Sequence, residues 1–251
     1  MTHRLLILGG TGEARRLAER ALAEFGSRLQ VITSLAGRTA EPVPIAGMVR
    51  QGGFGGAAGL ALYLREQGID LLIDATHPFA DQISRNAAEA AGMTGVPRLA
   101  LVRPPWRAQP GDRWIEVADA NAAATAVRTL GTRIWLTLGT ADIEAFAPLT
   151  GHWFLVRRVD PPPAPLPLRQ VEILLARGPF ALEDERRILA GHRIDAVVSR
   201  ASGGAATVAK LDAAREAGIP VVLIARPPPP PEPTIPSVGE ALDWLRARLG
   251  A

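Results

Sequence analysis

One short segment near the N-terminus constrains the fold more than any other part of the chain. Residues 5–15 read Leu-Leu-Ile-Leu-Gly-Gly-Thr-Gly-Glu-Ala-Arg, an apolar run that leads into glycines and then into helix-forming residues. This pattern predicts a strand, a glycine turn and a helix whose first N–H groups attract an anion. It indicates a cradle for a dinucleotide pyrophosphate. Arg15 replaces the usual third glycine, so a plain connection between strand and helix is the alternative.

Apolar runs alternate with Ala- and Leu-rich helical stretches along the whole chain. The first set has predicted strands at 4–8, 29–33, 71–74 and 99–102, with helices from about 12, 57 and 80. The second set has strands at 114–117, 134–138, 153–159, 171–176, 196–199 and 221–225, with helices near 121–130, 182–190 and 205–217. Such alternation is typical of parallel sheets that carry helices on both faces.

The two sets predict an α/β fold of two Rossmann-like, doubly wound parallel-sheet domains with an interdomain cleft. We expect residues 1–103 to form the N-terminal nucleotide-binding domain and residues 113–226 the C-terminal substrate domain. Residues 227–236 are rich in proline and form a stiff extended segment. We expect this segment to return a last helix, within 237–251, to the first domain; a spacer that ends in a local helix is the alternative.

Composition excludes several classes of chemistry. The 251 residues include no cysteine, so disulfides, thiolate metal sites and cysteine nucleophiles are excluded. The four histidines lie too far apart in sequence for paired ligands, and we expect no metal site. No apolar run reaches the length of a signal-peptide core or a membrane span. We therefore expect a soluble, cytoplasmic protein with no membrane partner.

The basic residues are almost all arginine. Lysine and arginine together number 28 against 25 acidic residues, and Lys210 is the single lysine. A guanidinium group pairs two oxygens at once, which suits carboxylate or phosphate ligands. Aromatic residues are sparse and no dense basic run occurs, so we expect no nucleic-acid partner.

The end of the second predicted strand bears on the choice of cofactor. NAD-binding folds usually place an acidic residue there, but this chain has Ser34, Leu35, Ala36, Gly37 and Arg38. With no acid to repel a phosphate, Arg38 can hold the 2′-phosphate of NADPH. The alternative is that Arg38 is a solvated loop cation.

Two further segments of the first domain carry candidate site residues. Residues 51–56 place four glycines, including Gly53, around Phe54, and such a bare backbone suits either close ligand approach or a hinge. Thr76 and His77 follow the predicted strand at 71–74, at the sheet edge where doubly wound folds bind ligands. His77 either donates a proton or orients a carboxylate of the substrate, or it caps the next helix. We expect Asp74 to satisfy N–H groups of its own loop.

In the second domain, two polar turns that follow strands are predicted anion nests. They lie after the strands at 134–138 and 196–199. Their candidate ligands for carboxylates are Thr140, Arg200, Ser202, Gly203, Gly204, Thr207 and Lys210. A generic turn followed by a solvated lysine is the alternative.

Two common enzyme patterns are missing from the chain. Short-chain dehydrogenases and sugar-nucleotide epimerases need a tyrosine four residues before a lysine, but the only tyrosine, Tyr63, has Gln67 at that place. The chain also has no Gly-x-Ser-x-Gly nucleophile elbow. Both classes of chemistry are excluded.

Taken together, the motifs resemble the precorrin-6A reductase family. They are Gly-Gly-Thr-Gly-Glu-Ala-Arg at 9–15, Thr-Ser-Leu-Ala-Gly-Arg at 33–38, Asp-Ala-Thr-His-Pro-Phe-Ala at 74–80, Ser-Arg-Ala-Ser-Gly-Gly at 199–204 and Lys-Leu-Asp-Ala-Ala at 210–214. The resemblance spans nearly the whole chain. It implies an oxidoreductase of cobalamin biosynthesis that uses NADPH to reduce one double bond of the tetrapyrrole precorrin-6A, which gives precorrin-6B. Hydride passes directly, without metal or flavin, and the proton comes from His77 or from solvent.

The resemblance also implies which residues form the sites. NADPH is expected on Gly9, Gly10, Thr11, Gly12, Glu13, Ser34, Leu35, Ala36, Gly37, Arg38, Gly53 and Thr76. The macrocycle is expected between the domains on His77, Thr140, Arg200, Ser202, Gly203, Gly204, Thr207 and Lys210, with His77 as the candidate catalytic residue. Three alternatives stay open: a cobalt-precorrin-6A reductase of the anaerobic branch, a different reductase for an anionic substrate, and a dinucleotide-sensing module without turnover.

Overall fold

The structure is a computed structural model that describes residues 2–37 and 43–250. The chain divides into two compact units. One unit contains the described residues up to Pro104 together with those from Pro227 onward, and the other spans Pro105–Arg226. The first unit is therefore built from both ends of the chain.

The elements alternate between strand and helix, as the apolar pattern predicts. The first unit begins with β1 (His3–Leu8), α1 (Gly12–Phe25), β2 (Leu29–Leu35), β3 (Met48–Gln51), α2 (Ala57–Glu66), β4 (Leu71–Asp74), α3 (Asp81–Thr94) and β5 (Arg98–Leu101). The second unit has β6 (Trp114–Val117), α4 (Ala120–Ala126), β7 (Arg133–Thr137), α5 (Thr140–Ile143), β8 (Trp153–Arg158), β9 (Val171–Leu175), α6 (Leu182–Gly191), β10 (Ala196–Arg200), α7 (Ala209–Glu216) and β11 (Val221–Ile224). The chain ends in the first unit with β12 (Thr234–Ile235) and α8 (Val238–Leu249).

Each unit contains one sheet of six parallel strands. The strand order is β3-β2-β1-β4-β5-β12 in the first unit and β9-β8-β7-β10-β11-β6 in the second. Both orders follow the doubly wound pattern, in which the direction of strand addition reverses inside the sheet. The reversal lies between β1 and β4 in the first unit and between β7 and β10 in the second. The prediction of two Rossmann-like parallel-sheet units is confirmed.

The core of the first unit follows from the two faces of β1. Leu5 and Ile7 lie in a buried cluster with α1 and α8, whereas Leu6 and Leu8 lie in a second cluster with α2 and α3. Alternate residues of a strand point to opposite faces, so a continuous apolar run is what a strand covered on both sides requires. This burial anchors the turn that follows β1.

The C-terminal segment completes the first sheet. β12 pairs in parallel with β5, with Thr234 opposite Ala100. Leu242 and Leu245 of α8 are fully buried in the cluster that contains α1. The last helix therefore packs within the first unit, beyond the proline-rich segment. Over residues 2–37 and 43–250, no helix has both the length and the apolar character needed to cross a bilayer.

Some elements differ from the sequence predictions. β12 was not predicted, because two residues flanked by prolines carry no local strand pattern. The short helix α5 was not predicted either. The predicted helix at 205–217 is divided: a 3₁₀ turn at Ala205–Thr207 precedes α7. Gly203 and Gly204, at φ 63° and 79°, lead into that turn in the left-handed region, which ordinary helix residues avoid.

Candidate functional site

In the first sheet, the direction of strand addition reverses between β1 and β4. The loops that follow β1 and β4 meet at this reversal. Doubly wound sheets bind ligands in the crevice at such a reversal. The Thr11 hydroxyl donates to the Ala75 carbonyl at 2.7 Å and accepts from the Ala14 N–H at 3.1 Å. Thr11 thus caps α1 and also ties its N-terminus to the loop after β4. Its side chain has a structural role at the place where a cofactor was predicted.

The glycines before α1 differ in what they permit. A Cβ on Gly9 would lie 2.8 Å from Cγ2 of Thr33, so Gly9 allows the turn to pack against β2. Gly10 has φ 102°, and a Cβ there would meet nothing within 4 Å. Its backbone is therefore open to close approach by a ligand. At the first turn of α1, the Glu13 carboxylate pairs with Arg103 at 3.1 Å, which keeps a guanidinium beside the helix N-terminus.

A cavity of about 200 Å³ opens at this end of the first sheet. Five predicted cofactor residues line it: Gly9, Ser34, Ala36, Gly53 and Thr76. The other residues of the lining are Leu8, Gly52, Phe54, Gly55, Gly56, Leu60, Ile83 and Asn86. Among the predicted residues that the structure describes, Gly10, Thr11, Gly12, Glu13, Leu35 and Gly37 are not part of the lining. The prediction for Arg38 lies outside the described residues.

The glycine-rich segment at 51–56 folds over this cavity. Gly52, Gly55 and Gly56 have φ values of 106°, 80° and 94°, in the left-handed region that favours glycine. On the first turn of α2, an ideal Cβ on Gly59 would lie 1.7 Å from the Phe54 carbonyl oxygen. The loop therefore packs directly on the backbone of α2. The four-glycine run signals this loop in the sequence, whereas Leu60, Ile83 and Asn86 carry no such signal.

Arg50, which the sequence analysis did not single out, holds the same loop. Its Nη1 donates to Ser34 Oγ at 2.9 Å and to the Gly52 carbonyl at 2.9 Å, and Nη2 donates to the Gly53 carbonyl at 3.2 Å. The guanidinium lies 3.9 Å from the centre of the Phe54 ring. Such a cation over an aromatic face is attracted by the ring quadrupole. Arg50 thus joins β2, β3 and the glycine loop at the cavity.

The end of β4 is organised by a buried carboxylate. Asp74 Oδ1 accepts from the Thr76 N–H at 3.1 Å and from the Thr76 hydroxyl at 2.7 Å, which fixes Thr76 at the cavity. The Asp74 Oδ2 atom lies 4.0 Å from Nη2 of Arg98, which is also buried. Burial lowers the pKa of Arg98, and the Asp74 charge opposes that shift. Asp74 therefore satisfies its own loop, as the sequence predicts.

His77 lies beyond Thr76 and is partly exposed. Its Nδ1 accepts from the Phe79 N–H at 3.2 Å, and its ring packs against Phe79 with the ring centres 5.8 Å apart. A neutral imidazole that accepts at Nδ1 carries its proton on Nε2. The N-cap residue of α3 is Ala80, and its N–H donates to the His77 carbonyl at 2.7 Å.

In the second sheet, the direction of strand addition reverses between β7 and β10. An ion pair between Asp142 and Arg200 joins the segment that follows β7 to the end of β10. Arg200, at the end of β10, donates from Nε to Asp142 at 2.7 Å. Arg158, at the end of β8, donates to the Thr140 hydroxyl at 2.8 Å. Two of the predicted substrate residues, Thr140 and Arg200, are thus brought to the same end of the same sheet. Each already has a partner within its own unit.

The turn after β10 is surrounded by cations. Lys210 is 3% exposed, and its Nζ donates to the Thr207 carbonyl at 2.9 Å. Nζ also lies 5.1 Å from the centre of the Trp106 ring. Arg226 donates to the carbonyl of Ser202 at 2.8 Å. Lys210 and Arg226 thus place two cations beside the turn after β10.

Trp106 and Arg226 are residues of this turn that sequence reasoning missed. The Trp106 indole N–H donates to the Gly204 carbonyl at 2.8 Å, which holds one of the two left-handed glycines. Both residues come from segments outside the turn, so only the tertiary structure brings them to it.

Elsewhere in this unit, Arg157 and Glu185 form a buried ion pair between β8 and α6, and burial lowers the pKa of Arg157. Among the residues that the structure describes, no three His, Asp or Glu side chains are grouped to hold a metal ion.

The chain matches known proteins over nearly its full length. A family model described as "Precorrin-6x reductase CbiJ/CobK" matches residues 4–246. A relative from Rhodococcus erythropolis named precorrin-6A reductase is 51% identical over 243 residues, covering 96% of this chain and 97% of the relative. A relative from Priestia megaterium named cobalt-precorrin-6A reductase is 28% identical over 238 residues, covering 89% and 90%.

A solved structure named CobK precorrin-6A reductase is similar in both sequence and fold. It superposes with a TM-score of 0.93 at 45% identity and covers 100% of this chain and 98% of that one. The sequence match and the structural match thus agree over the same length. The chain belongs to the precorrin-6x reductase family and is an oxidoreductase.

Proposed function

We propose that this protein uses NADPH to reduce one double bond of precorrin-6A and so forms precorrin-6B in cobalamin biosynthesis. Membership in a reductase family of this pathway implies a nicotinamide cofactor. The observation that carries the proposal is the glycine-lined cavity beside the N-terminus of α1, in a chain that is 51% identical to a relative named precorrin-6A reductase.

The residues of the first unit fit one part of such a dinucleotide. Gly10 is open to close backbone approach, and the first N–H groups of α1 suit a pyrophosphate. The cavity of about 200 Å³ is smaller than the roughly 300–1,000 Å³ of pockets that enclose a whole ligand. We assign it to the adenosine end, with Phe54, Leu60 and Ile83 as apolar contacts for the base.

The choice of NADPH over NADH rests on charge. No acidic residue lines the cavity among the residues that the structure describes, whereas NAD-binding folds usually carry one for the ribose hydroxyl. A 2′-phosphate therefore meets no repulsion from the described lining. Arg38 stays a proposed contact on the sequence argument alone.

The chemistry divides between cofactor and protein. NADPH, when bound, supplies the hydride. Thr76, held by Asp74, positions the loop after β4, and His77 presents its Nε2–H for a hydrogen bond to a substrate carboxylate. Transfer of a proton from His77 to the substrate would use the imidazolium form. In the second unit, Lys210 and the N–H groups around Gly203 and Gly204 bind substrate carboxylates. The contacts proposed for Thr140, Arg200, Ser202 and Thr207 complete that set.

An anaerobic assay tests the proposal. The protein is mixed with precorrin-6A and NADPH, and the loss of reduced-nicotinamide absorbance is followed together with the tetrapyrrole spectrum, with NADH in a parallel sample. Coupled changes with NADPH support the proposed reaction. Turnover of cobalt-precorrin-6A alone would assign the protein to the anaerobic branch, and nucleotide binding without any turnover would contradict the proposal in favour of a sensing module.

A further inference from the structure

We propose that Arg50 binds the 2′-phosphate of the nicotinamide dinucleotide and so sets the preference for NADPH over NADH. The inference rests on the proposed function, because it concerns the same cofactor. It adds a specificity-determining residue that lies on β3, outside the strand end where the acid of NAD-binding folds is found.

The position of Arg50 follows from strand register. β2 and β3 pair in parallel with Ser34 opposite Arg50, so the two residues are neighbours at the carboxyl end of the sheet. Ser34 stands where nucleotide-binding sheets recognise the adenosine ribose. The hydrogen bond from Arg50 to Ser34 Oγ, at 2.9 Å, places the guanidinium at the same point. A positive charge is thereby held next to the expected ribose.

The guanidinium is held in one orientation before any ligand binds. It makes three hydrogen bonds, to Ser34, Gly52 and Gly53, and it stacks 3.9 Å from the centre of the Phe54 ring. Arginine has five N–H groups. The three bonds to described residues leave the Nε–H and one Nη2–H for an anion. Such a pre-organised fork loses little conformational freedom when it binds a phosphate.

The charge of Arg50 is also available. Within the described part of the chain, no carboxylate forms an ion pair with Arg50, whereas Arg103 and Arg200 each pair with an acidic side chain. The lining carries no described acid, and Arg50 is hydrogen-bonded to three of its residues, Ser34, Gly52 and Gly53. No described carboxylate therefore offsets the charge of Arg50 where it meets the lining. A doubly charged phosphate gains from that charge, and a ribose hydroxyl gains far less.

The experiment tests whether Arg50 contacts the 2′-phosphate or only stabilises the glycine loop. Binding of 2′,5′-ADP and of 5′-AMP, which differ only in the 2′-phosphate, is measured by calorimetry for the wild type, Arg50→Gln, Arg50→Lys and the control Arg248→Gln. Arg248 is a matched control because its guanidinium also stacks on an aromatic ring, 4.0 Å from the centre of Trp244, in the same unit. Far-ultraviolet circular dichroism and thermal melting check that each variant folds.

We expect Arg50→Gln to weaken binding of 2′,5′-ADP by about ten- to a hundredfold, because hydrogen bonds to a charged group are lost. Its affinity for 5′-AMP should stay within about threefold of wild type, since that nucleotide has no 2′-phosphate for Arg50 to contact. Arg50→Lys keeps the charge without the fork, so it should retain a reduced preference for 2′,5′-ADP. Arg248→Gln should change neither affinity. In the reductase assay, kcat/KM should fall for NADPH and hold for NADH in Arg50→Gln.

Three results would overturn the inference. Equal weakening of both nucleotides in Arg50→Gln and Arg50→Lys would reduce Arg50 to a support for the glycine loop. Unchanged affinities would remove it from the site and leave Arg38 as the phosphate contact. A wild type that binds both nucleotides equally would mean that the protein has no phosphate preference. Because nucleotide binding needs no tetrapyrrole, a protein that prefers 2′,5′-ADP and fails to reduce precorrin-6A would contradict the proposed function alone.

Discussion

At the scale of single residues, the cavity of the first unit depends on glycine positions where a Cβ would clash with neighbouring atoms. Gly59 of α2 is the clearest case, because a Cβ there would lie 1.7 Å from the Phe54 carbonyl oxygen of the glycine loop. The loop also carries Gly53 and Phe54, which line the cavity. A change at Gly59 would therefore alter the cavity through the backbone of the glycine loop.

We predict that Gly59→Ala destabilises the protein by about 1–3 kcal/mol, the usual cost of forcing atoms into a packed site. It should also weaken nucleotide binding, because the Phe54 carbonyl must move. The control is Gly92→Ala, in α3, where a Cβ meets nothing within 4 Å. That change should stabilise by up to about 1 kcal/mol, the difference in helix propensity. Urea unfolding and a nucleotide titration measure both effects, and equal stability of the two variants would contradict this account.

Lys210 gives a second prediction at this scale. Lys210→Met keeps most of the buried stem and removes the ammonium that donates to the Thr207 carbonyl. If Lys210 serves substrate carboxylates, kcat/KM for the tetrapyrrole should fall by about tenfold or more in the folded variant. The KM for NADPH should stay unchanged. Loss of stability with full activity would instead assign Lys210 a structural role at the Thr207 carbonyl.

At the scale of elements, α1 and α8 come from opposite ends of the chain and are joined by an ion pair. Arg246 of α8 donates from Nε to Glu24 of α1 at 2.5 Å and from Nη2 at 2.8 Å. These hydrogen bonds hold the pKa of the Glu24 carboxyl below its usual value. The pair is partly exposed, so solvent screens it and its contribution is small.

The direction of the Glu24 shift predicts how stability depends on pH. A carboxyl whose pKa is lower in the folded state stabilises the fold at neutral pH, and this contribution is lost as pH falls through the folded pKa. Glu24→Gln should therefore be less stable than wild type at pH 7, and the two should converge below about pH 4. Glu19→Gln, whose partner Arg15 lies in the same helix at 3.8 Å, is the control and should show a smaller difference. A gap between Glu24→Gln and wild type that persists at low pH would refute the assignment.

At the scale of the whole molecule, the first unit is assembled from two segments separated by the entire second unit. Its sheet needs β12, and its core needs the buried face of α8. The glycine turn after β1 rests on that same core through Leu5 and Ile7. The C-terminal helix α8 thus packs in the core on which the turn after β1 rests.

We predict that Leu242→Ala lowers the free energy of unfolding by about 2–5 kcal/mol, because it opens a cavity in this core. Thermal melting in the absence and presence of NADPH measures it, and the added nucleotide should recover part of the loss by binding the folded state. Leu62→Ala is the matched control, since Leu62 is 54% exposed on α2. It should change stability by less than about 0.5 kcal/mol. Similar melting of both variants would show that α8 is dispensable.

Much of this architecture is readable from local sequence. Apolar runs between glycines place β1, β4 and most other strands within one or two residues, because a strand buried on both faces must be continuously apolar. Glycine chemistry likewise marks the turn after β1 and the loop at 51–56. The family resemblance of the motifs, which the comparisons confirm, rests on these same segments.

Other features are set by contacts between residues far apart in the chain, and no local window contains them. Only the fold pairs β12 with β5, brings Trp106 to Gly204 and shows that Arg50 stacks on Phe54 beside Ser34. The sequence by itself determined the alternation of strands and helices and the positions of the glycine turns, because backbone conformation and burial follow from neighbouring residues. The tertiary structure decided which charges meet, since a long side chain takes its partners from whatever the packed sheets place within its reach.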